Sequence, residues 1–232
     1  MKKELIDDII AWDIVNWSKS FDFWKKHLDV KDKGYQCLEL GARQGGLSLW
    51  LALNNNQVIC SDVSYTDQQH ELDKTIALHK KHGCEQNITY EAIDASKIPY
   101  ENHFDLVVFK SVLGGVSIDS GKRLEQQTID SIHKSLKPGG RVVFIENLEG
   151  SFLHMYARKK FVGWGSKWYY MKLNDIVKLF NSYKSLEYKT VGFFGTFGKT
   201  EKQRQMLGKL DTLIEKLIPK HNRYVMIGIA KK

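Results

Sequence analysis

From Tyr35 onward the chain alternates between short runs of adjacent apolar residues and stretches in which apolar positions recur every three or four residues. The runs at 35–40, 57–62, 87–92, 104–110, 141–146, 186–194 and 223–230 predict strands. Several, such as FDLVVFK at 104–110 and RVVFIE at 141–146, are almost continuously apolar, as expected of strands covered on both faces. Helices are expected near 46–54, 66–82 and 121–136. In the last of these Leu124, Thr128, Ile132 and Leu136 recur at helical spacing, and Pro138-Gly139-Gly140 is expected to stop the helix before the next strand. Strands alternating with helices in this way predict an α/β fold: a doubly wound, mostly parallel seven-stranded sheet with helices on both faces.

Two segments stand outside the alternation. Residues 3–28 read as an amphipathic helix or helix pair rich in aromatics, with Trp12, Trp17, Phe21, Phe23 and Trp24. Residues 200–218 read as a helical insertion before the last strand, with Met206, Leu207, Leu210, Leu213, Ile214 and Leu217 along one side. Its first residues, Thr200-Glu201-Lys202-Gln203, have the spacing of a capping box.

The 232 residues suffice for one domain with a substantial core. The first ten residues lack the apolar stretch of a secretory signal, and no apolar run reaches bilayer length. Cys37, Cys60 and Cys84 are odd in number and show no CxxC spacing, which favours buried thiols over disulfides or a zinc site and leads to the expectation of a cytoplasmic protein. Charge changes the picture more. Residues 1–150 carry 18 Lys/Arg against 22 Asp/Glu, and residues 151–232 carry 17 against 5. An acidic half suits a cationic ligand, and a basic half suits an anionic substrate, a nucleic acid or a membrane surface; lysines that merely solvate helix faces give the same balance.

The most informative stretch is Cys37-Leu38-Glu39-Leu40-Gly41-Ala42-Arg43-Gln44-Gly45-Gly46-Leu47: a strand, a glycine-rich turn and the start of a helix. Glycines allow a ligand to approach the backbone, and a helix start offers unpaired N–H groups. Asp62 ends the second strand, 21 residues after Gly41, a spacing that suits a carboxylate gripping ribose hydroxyls; Asp94 closes the third. For both, a turn-forming acid is the competing explanation. Glu39 within an apolar strand needs a partner, and a cationic ligand supplies one.

Glu39-Leu-Gly41-x-x-x-Gly45, Asp62, Asp94, Phe104-Asp105-Leu106-Val107-Val108 and Leu136-Lys137-Pro138-Gly139-Gly140-Arg141 together resemble the ordered motifs of class I S-adenosylmethionine-dependent methyltransferases, over roughly residues 35–147. Arg43 stands where the usual GxGxG form has its middle glycine. The resemblance implies S-adenosyl-L-methionine as cofactor, S-adenosyl-L-homocysteine as product and no metal. It implies that Gly41, Ala42 and Gly45 approach the methionine moiety, with Glu39 orienting the loop or a water. Asp62 would accept the ribose hydroxyls, Asp94 the adenine amino group with the Ala95 N–H near the ring, and the Lys110 carbonyl the methionine ammonium. Val63 and Ser96 would pack on the ring. Residues 1–30 would form a helical lid, with Asp13 and Trp17 near the cofactor, 35–147 the cofactor-binding core and 148–232 the substrate-facing part of a single domain.

The end of the fourth strand, Phe109-Lys110-Ser111-Val112-Leu113-Gly114, lacks the motifs of base-amino, cytosine-C5 and magnesium-dependent catechol-type enzymes. Acceptor determinants are expected past the fourth and fifth strands, where 146–170 interleaves aromatics, cations and glycines like a binding loop. His154 is the candidate general base, against the alternative of a helix-surface histidine. Glu146, Tyr156 and Arg158 are the candidate acceptor contacts, with Trp164 as a second wall of the pocket. These readings point to O- or N-methylation of a small-molecule or glycan-type acceptor, free or lipid-linked and anionic. An RNA methyltransferase using the basic half, a non-catalytic cofactor-binding protein, and peripheral membrane contact through 151–170 stay open.

Overall fold

A computed structural model of the chain describes residues 2–118, 123–161 and 168–232. Seven strands, β1 (Gln36–Leu40), β2 (Gln57–Ser61), β3 (Ile88–Glu91), β4 (Phe104–Lys110), β5 (Leu136–Asn147), β6 (Ser185–Val191) and β7 (Val225–Lys231), form one sheet in the order β3-β2-β1-β4-β5-β7-β6. β1 to β5 are parallel, and β7 runs antiparallel between β5 and β6. The strand order reverses between β1 and β4, and it is above the carboxyl ends of strands at such a switch point that open α/β sheets place ligands.

The continuous apolar runs are explained by cover on both faces. One face carries α1 (Lys3–Ile10), α2 (Ile14–Trp17), α3 (Lys19–His27), α4 (Gly46–Ala52) and α5 (Gln69–Lys81), with Trp24 stacked 5.4 Å from Trp50. The other carries α6 (Glu125–Ser135) and α8 (Leu173–Leu179), with Phe109, Phe144 and Phe180 stacked in a row. All three cysteines are buried and free. No helix of the described residues is long and apolar enough to cross a membrane.

Three features depart from the sequence expectation. Pro138-Gly139-Gly140 is not a turn ahead of a strand; it lies inside β5, where the pairing with β4 shifts between Phe104 and Leu106 and Gly139 takes φ +80°. Residues 152–161 form a helix, α7 (Phe152–Phe161), rather than a loop. The third is α9 (Glu201–Ile214), capped by the expected Thr200/Gln203 box. Its Met206, Leu210 and Leu213 face solvent, while Gly208 and Asp211 are buried.

The inversion of α9 follows from what its polar side holds. The Asn16 amide donates to Asp211 (2.8 Å) and to the Tyr224 hydroxyl (2.9 Å), and Tyr224 donates to the buried Asp13 carboxylate. Asp211 also accepts the N–H groups of Phe194 and Gly195, and Glu201 accepts those of Asp13 and Ile14. Burial pushes Asp13 up to about 7, with the neighbouring Asp211 and Glu201 adding to the shift and Tyr224 opposing it. Asp13 therefore belongs to this network rather than to the cofactor crevice, and it locks the N-terminal helices onto α9. Replacing Asn16 by Ala strips donors from Asp211 and Tyr224 and should cost about 1.5–3 kcal/mol in urea unfolding. A loss under about 0.5 kcal/mol would show that the network contributes little.

Candidate cofactor crevice

The crevice is organised from Glu39 outward. Buried in β1, its carboxylate accepts the N–H of Leu47 (3.1 Å) and of Ser48 (2.7 Å), two of the unpaired donors at the start of α4. Burial raises its pKa, while Ser48, Lys110 and Leu47 pull the other way. The carboxylate thus has protein partners, and a cationic ligand is not needed to explain it. Glu39 fixes where α4 begins, and the span from Gly41 to Gly45 must close as a tight turn.

That turn uses the left-handed region three times: Gly41 at φ +59°, Arg43 at +50° and Gly45 at +69°. Arg43 therefore adopts the backbone of the glycine it replaces, at a cost of order 1–2 kcal/mol. Contacts from outside the loop hold it there. Its N–H donates to Asp62 (2.9 Å), and its carbonyl accepts from the Thr75 hydroxyl (2.7 Å). One turn further along α5, His79 Nε2 donates to the Gly45 carbonyl (2.9 Å), and a side chain at Gly45 would collide with His79 and Thr75. Sequence reading missed these two residues; their signal was a four-residue spacing on the inner face of α5.

The acids expected at the strand ends lie just past two adjacent strands, Asp62 directly after β2 and Asp94 in the loop after β3. Asp62 is half-buried, with Oδ2 on the Arg43 amide and Oδ1 on the N–H and hydroxyl of Ser64. Val63 beside it is 65% exposed, an apolar surface left uncovered next to the loop. Asp94 is exposed and Ala95 half-buried; Asp94 Oδ1 accepts from the N–H and hydroxyl of the buried Ser96, which is the turn-forming geometry.

Lys110, at the end of β4, does more than present a carbonyl. The side chain is half-buried, and its Nζ donates to the carbonyls of Ile9 (3.1 Å) and Ile10 (2.9 Å), the last residues of α1. Burial brings it down to about 8, against the pull of Glu39. The same stretch of α1 rests on the loop, since a Cβ at Gly46 would lie 2.1 Å from the Ile9 carbonyl oxygen. The N-terminal helices are therefore closed over the glycine turn. Trp17 is buried in the core beneath them. Two cavities open elsewhere: one of about 140 Å³ along Lys137–Arg141, at the opposite edge of the sheet, and one of about 230 Å³ between Glu149, Lys172 and His221.

A family model for a methyltransferase domain matches residues 38–142, which span the turn, the strand-end acids and β4. This stretch is similar to a methyltransferase domain, and the chain has the Rossmann-like methyltransferase fold. No curated protein sequence matches the chain. Among solved structures it resembles Haemonchus contortus phosphoethanolamine N-methyltransferase 2 in complex with phosphomonomethylethanolamine and S-adenosylhomocysteine (17% identity, TM-score 0.62). That likeness covers 93% of this chain and 52% of the other, so the chain spans about half of that enzyme's length. It also resembles the geranyl diphosphate C-methyltransferase of Streptomyces coelicolor, in complex with Mg2+, geranyl-S-thiolodiphosphate and S-adenosyl-L-homocysteine (12% identity, TM-score 0.63, covering 93% and 76%). A third is a SAM-dependent methyltransferase from Aquifex aeolicus (13% identity, TM-score 0.56, covering 91% and 88%). At these identities the likeness is one of fold.

At the far end of β5, Glu146 is buried one residue before the last, and its carboxylate accepts the N–H groups of Val112, Leu113 and Asn147. Burial pushes it up to about 7 and the three amides pull it back. Glu146 thus shapes the turn after β4 and presents no free oxygen edge. His154 is not a surface residue and offers no free nitrogen: Nδ1 accepts the Ser151 N–H (2.9 Å) and Nε2 donates to the Phe193 carbonyl (2.7 Å). Its ring stacks on Phe197, and burial takes its pKa down to about 4. The expected base is a structural bolt in this arrangement. Tyr156 lies exposed on α7, beside Phe152. Trp164 lies outside the described residues.

Arg158 differs from its neighbours Lys159 and Lys160 in being buried. Nη1 donates to the carbonyls of Leu148 (2.7 Å) and Glu149 (3.1 Å), just past β5, and the guanidinium lies 3.8 Å over the Tyr170 ring. No ion pair within the described residues neutralises it.

The His154 assignment has a pH signature. The native ring refuses a proton until about pH 4, whereas the unfolded ring accepts one near 6.5, so between those values the unfolded state binds more protons. His154 therefore makes the protein lose stability as pH falls from 6.5 toward 4, by up to roughly 3 kcal/mol. The difference in unfolding free energy between the protein and His154→Gln, followed across that window, should shift by this amount; a constant difference would contradict the buried neutral ring.

Proposed function

We propose that the chain transfers a methyl group from S-adenosyl-L-methionine to a small acceptor bearing both an anionic group and a nucleophilic nitrogen. The observation that carries the anionic part is Arg158: a buried guanidinium whose partners among the described residues are backbone carbonyls and an aromatic ring is costly unless an anion completes it. It stands past the carboxyl ends of β4 and β5, where this class of fold receives acceptors. Two of the similar structures hold phosphate-bearing acceptors or analogues, which supports the same chemistry here.

When bound, the cofactor supplies the methyl group on a sulfonium. In this reading Gly41, Ala42 and Gly45 let the methionine part approach the backbone, and Asp62 takes the ribose hydroxyls with the oxygen that now holds the Arg43 amide. The exposed Val63 covers the adenine, with Asp94 and Ala95 at its edge. The Lys110 carbonyl receives the methionine ammonium. The N-terminal helices exclude water, and Arg158 orients the acceptor. Nitrogen is favoured over oxygen because a hydroxyl acceptor needs a general base, and both candidates near this end, His154 and Glu146, have their atoms engaged.

Calorimetric titration with S-adenosylhomocysteine should show Asp62→Ala binding roughly ten- to a hundredfold more weakly, as a lost hydrogen bond to a charged group requires. Unchanged affinity would remove the ribose contact. Transfer of labelled methyl from S-adenosyl-L-methionine should be faster to phosphoethanolamine than to ethanolamine. Arg158→Met should erase that preference by raising KM at least tenfold while leaving cofactor affinity intact. A preference that survives in Arg158→Met would contradict the role of the guanidinium.

A further inference from the structure

We propose that the outer face of α9 is a docking surface for an anionic lipid bilayer, a property independent of the acceptor reading above. Met206, Leu210, Leu213 and Leu217 are 65%, 41%, 81% and 83% exposed. Their spacing of four, three and four residues lines them up along one side of α9 and the short turn, Glu215–Leu217, that continues it. Solvent-facing aliphatics in such a row are unusual on a helix whose other side is packed.

The charges around the row settle what it fits. Lys202, Lys209, Lys216 and Lys220 are all exposed. Every acid of the segment is turned the other way: Glu201 binds the amides of Asp13 and Ile14, Asp211 is buried in the Asn16 network, and Glu215 pairs with Lys19 at 2.7 Å and Lys189 at 3.3 Å. The outward face is therefore aliphatic and purely cationic. A second copy meeting it symmetrically would set lysines against lysines. An anionic bilayer instead takes the aliphatic row into its interface and the lysines at its headgroups, where long stems keep the ammonium in water. The polar inner face of the same helix grips the segment that covers the glycine turn, so the lipid surface and the N-terminal helices sit on opposite sides of α9.

Flotation of the full chain tests this, with vesicles of phosphatidylcholine alone and of phosphatidylcholine mixed with phosphatidylglycerol. The protein should partition onto the phosphatidylglycerol vesicles and leave them as salt rises. The triple variant Lys202→Glu, Lys209→Glu, Lys216→Glu and the double variant Leu213→Ser, Leu217→Ser should each lower partitioning at least tenfold, each lysine contributing roughly fivefold. Both variants should keep the thermal midpoint and the S-adenosylhomocysteine affinity, because these side chains touch nothing in the core. Equal retention on the two vesicle types, absence of partitioning at low salt, or partitioning untouched by either variant would overturn the proposal. So would a dimer in sedimentation equilibrium that the double leucine variant dissolves, which would give the face to a second copy.

Discussion

The carboxyl edge of the sheet depends on one buried carboxylate. Glu39 must be paid for in the core, and the amides of Leu47 and Ser48 do so, which fixes the first turn of α4 against β1. The turn between them then has too few residues to avoid left-handed backbone, so Gly45 is required and Arg43 is forced. The Ser61 hydroxyl donates to the Glu39 carbonyl at 2.7 Å, and the Ala42 N–H to the Ser61 carbonyl, tying the turn to β2 and bringing Asp62 within reach of it. Glu146 repeats the device on β5, collecting the amides of the turn after β4. Two buried acids thus set the two backbone turns that border the crevice.

Cations are handled in the opposite way. Lys110, half-buried, and Arg158, buried, are bound to backbone carbonyls rather than to carboxylates. Lys110 spends its donors on the end of α1, where the helix dipole favours positive charge, and so keeps the N-terminal helices on the turn. Arg158 spends one nitrogen on Leu148 and Glu149 and lays its face on Tyr170. One cation therefore holds the N-terminal helices on the glycine turn, and the other sits past β5.

The strands and the acid at each strand end were legible because burial on both faces writes itself as unbroken apolar runs, and loops after parallel strands must converge on one edge. Pro138-Gly139-Gly140 was misread because a bulge and a turn share the same residues; only pairing with Phe104 and Leu106 separates them. α9 was legible as amphipathic but not as inverted, since the buried side is polar and Asn16, the partner of its Asp211, is 195 residues away in sequence. His154 misled for the same reason: its second partner is Phe193, 39 residues on. Arg158 could be seen as one of three consecutive cations, but nothing in the sequence shows which of them turns inward.

A crystal structure of the chain grown with S-adenosylhomocysteine tests the central claim most directly. The adenosine should lie above the turn at 41–46, with both ribose hydroxyls on Asp62, the ring against Val63, and the Glu39 bonds to Leu47 and Ser48 unchanged. A nucleoside bound away from that turn, or one whose binding pulls Glu39 off α4, would contradict it.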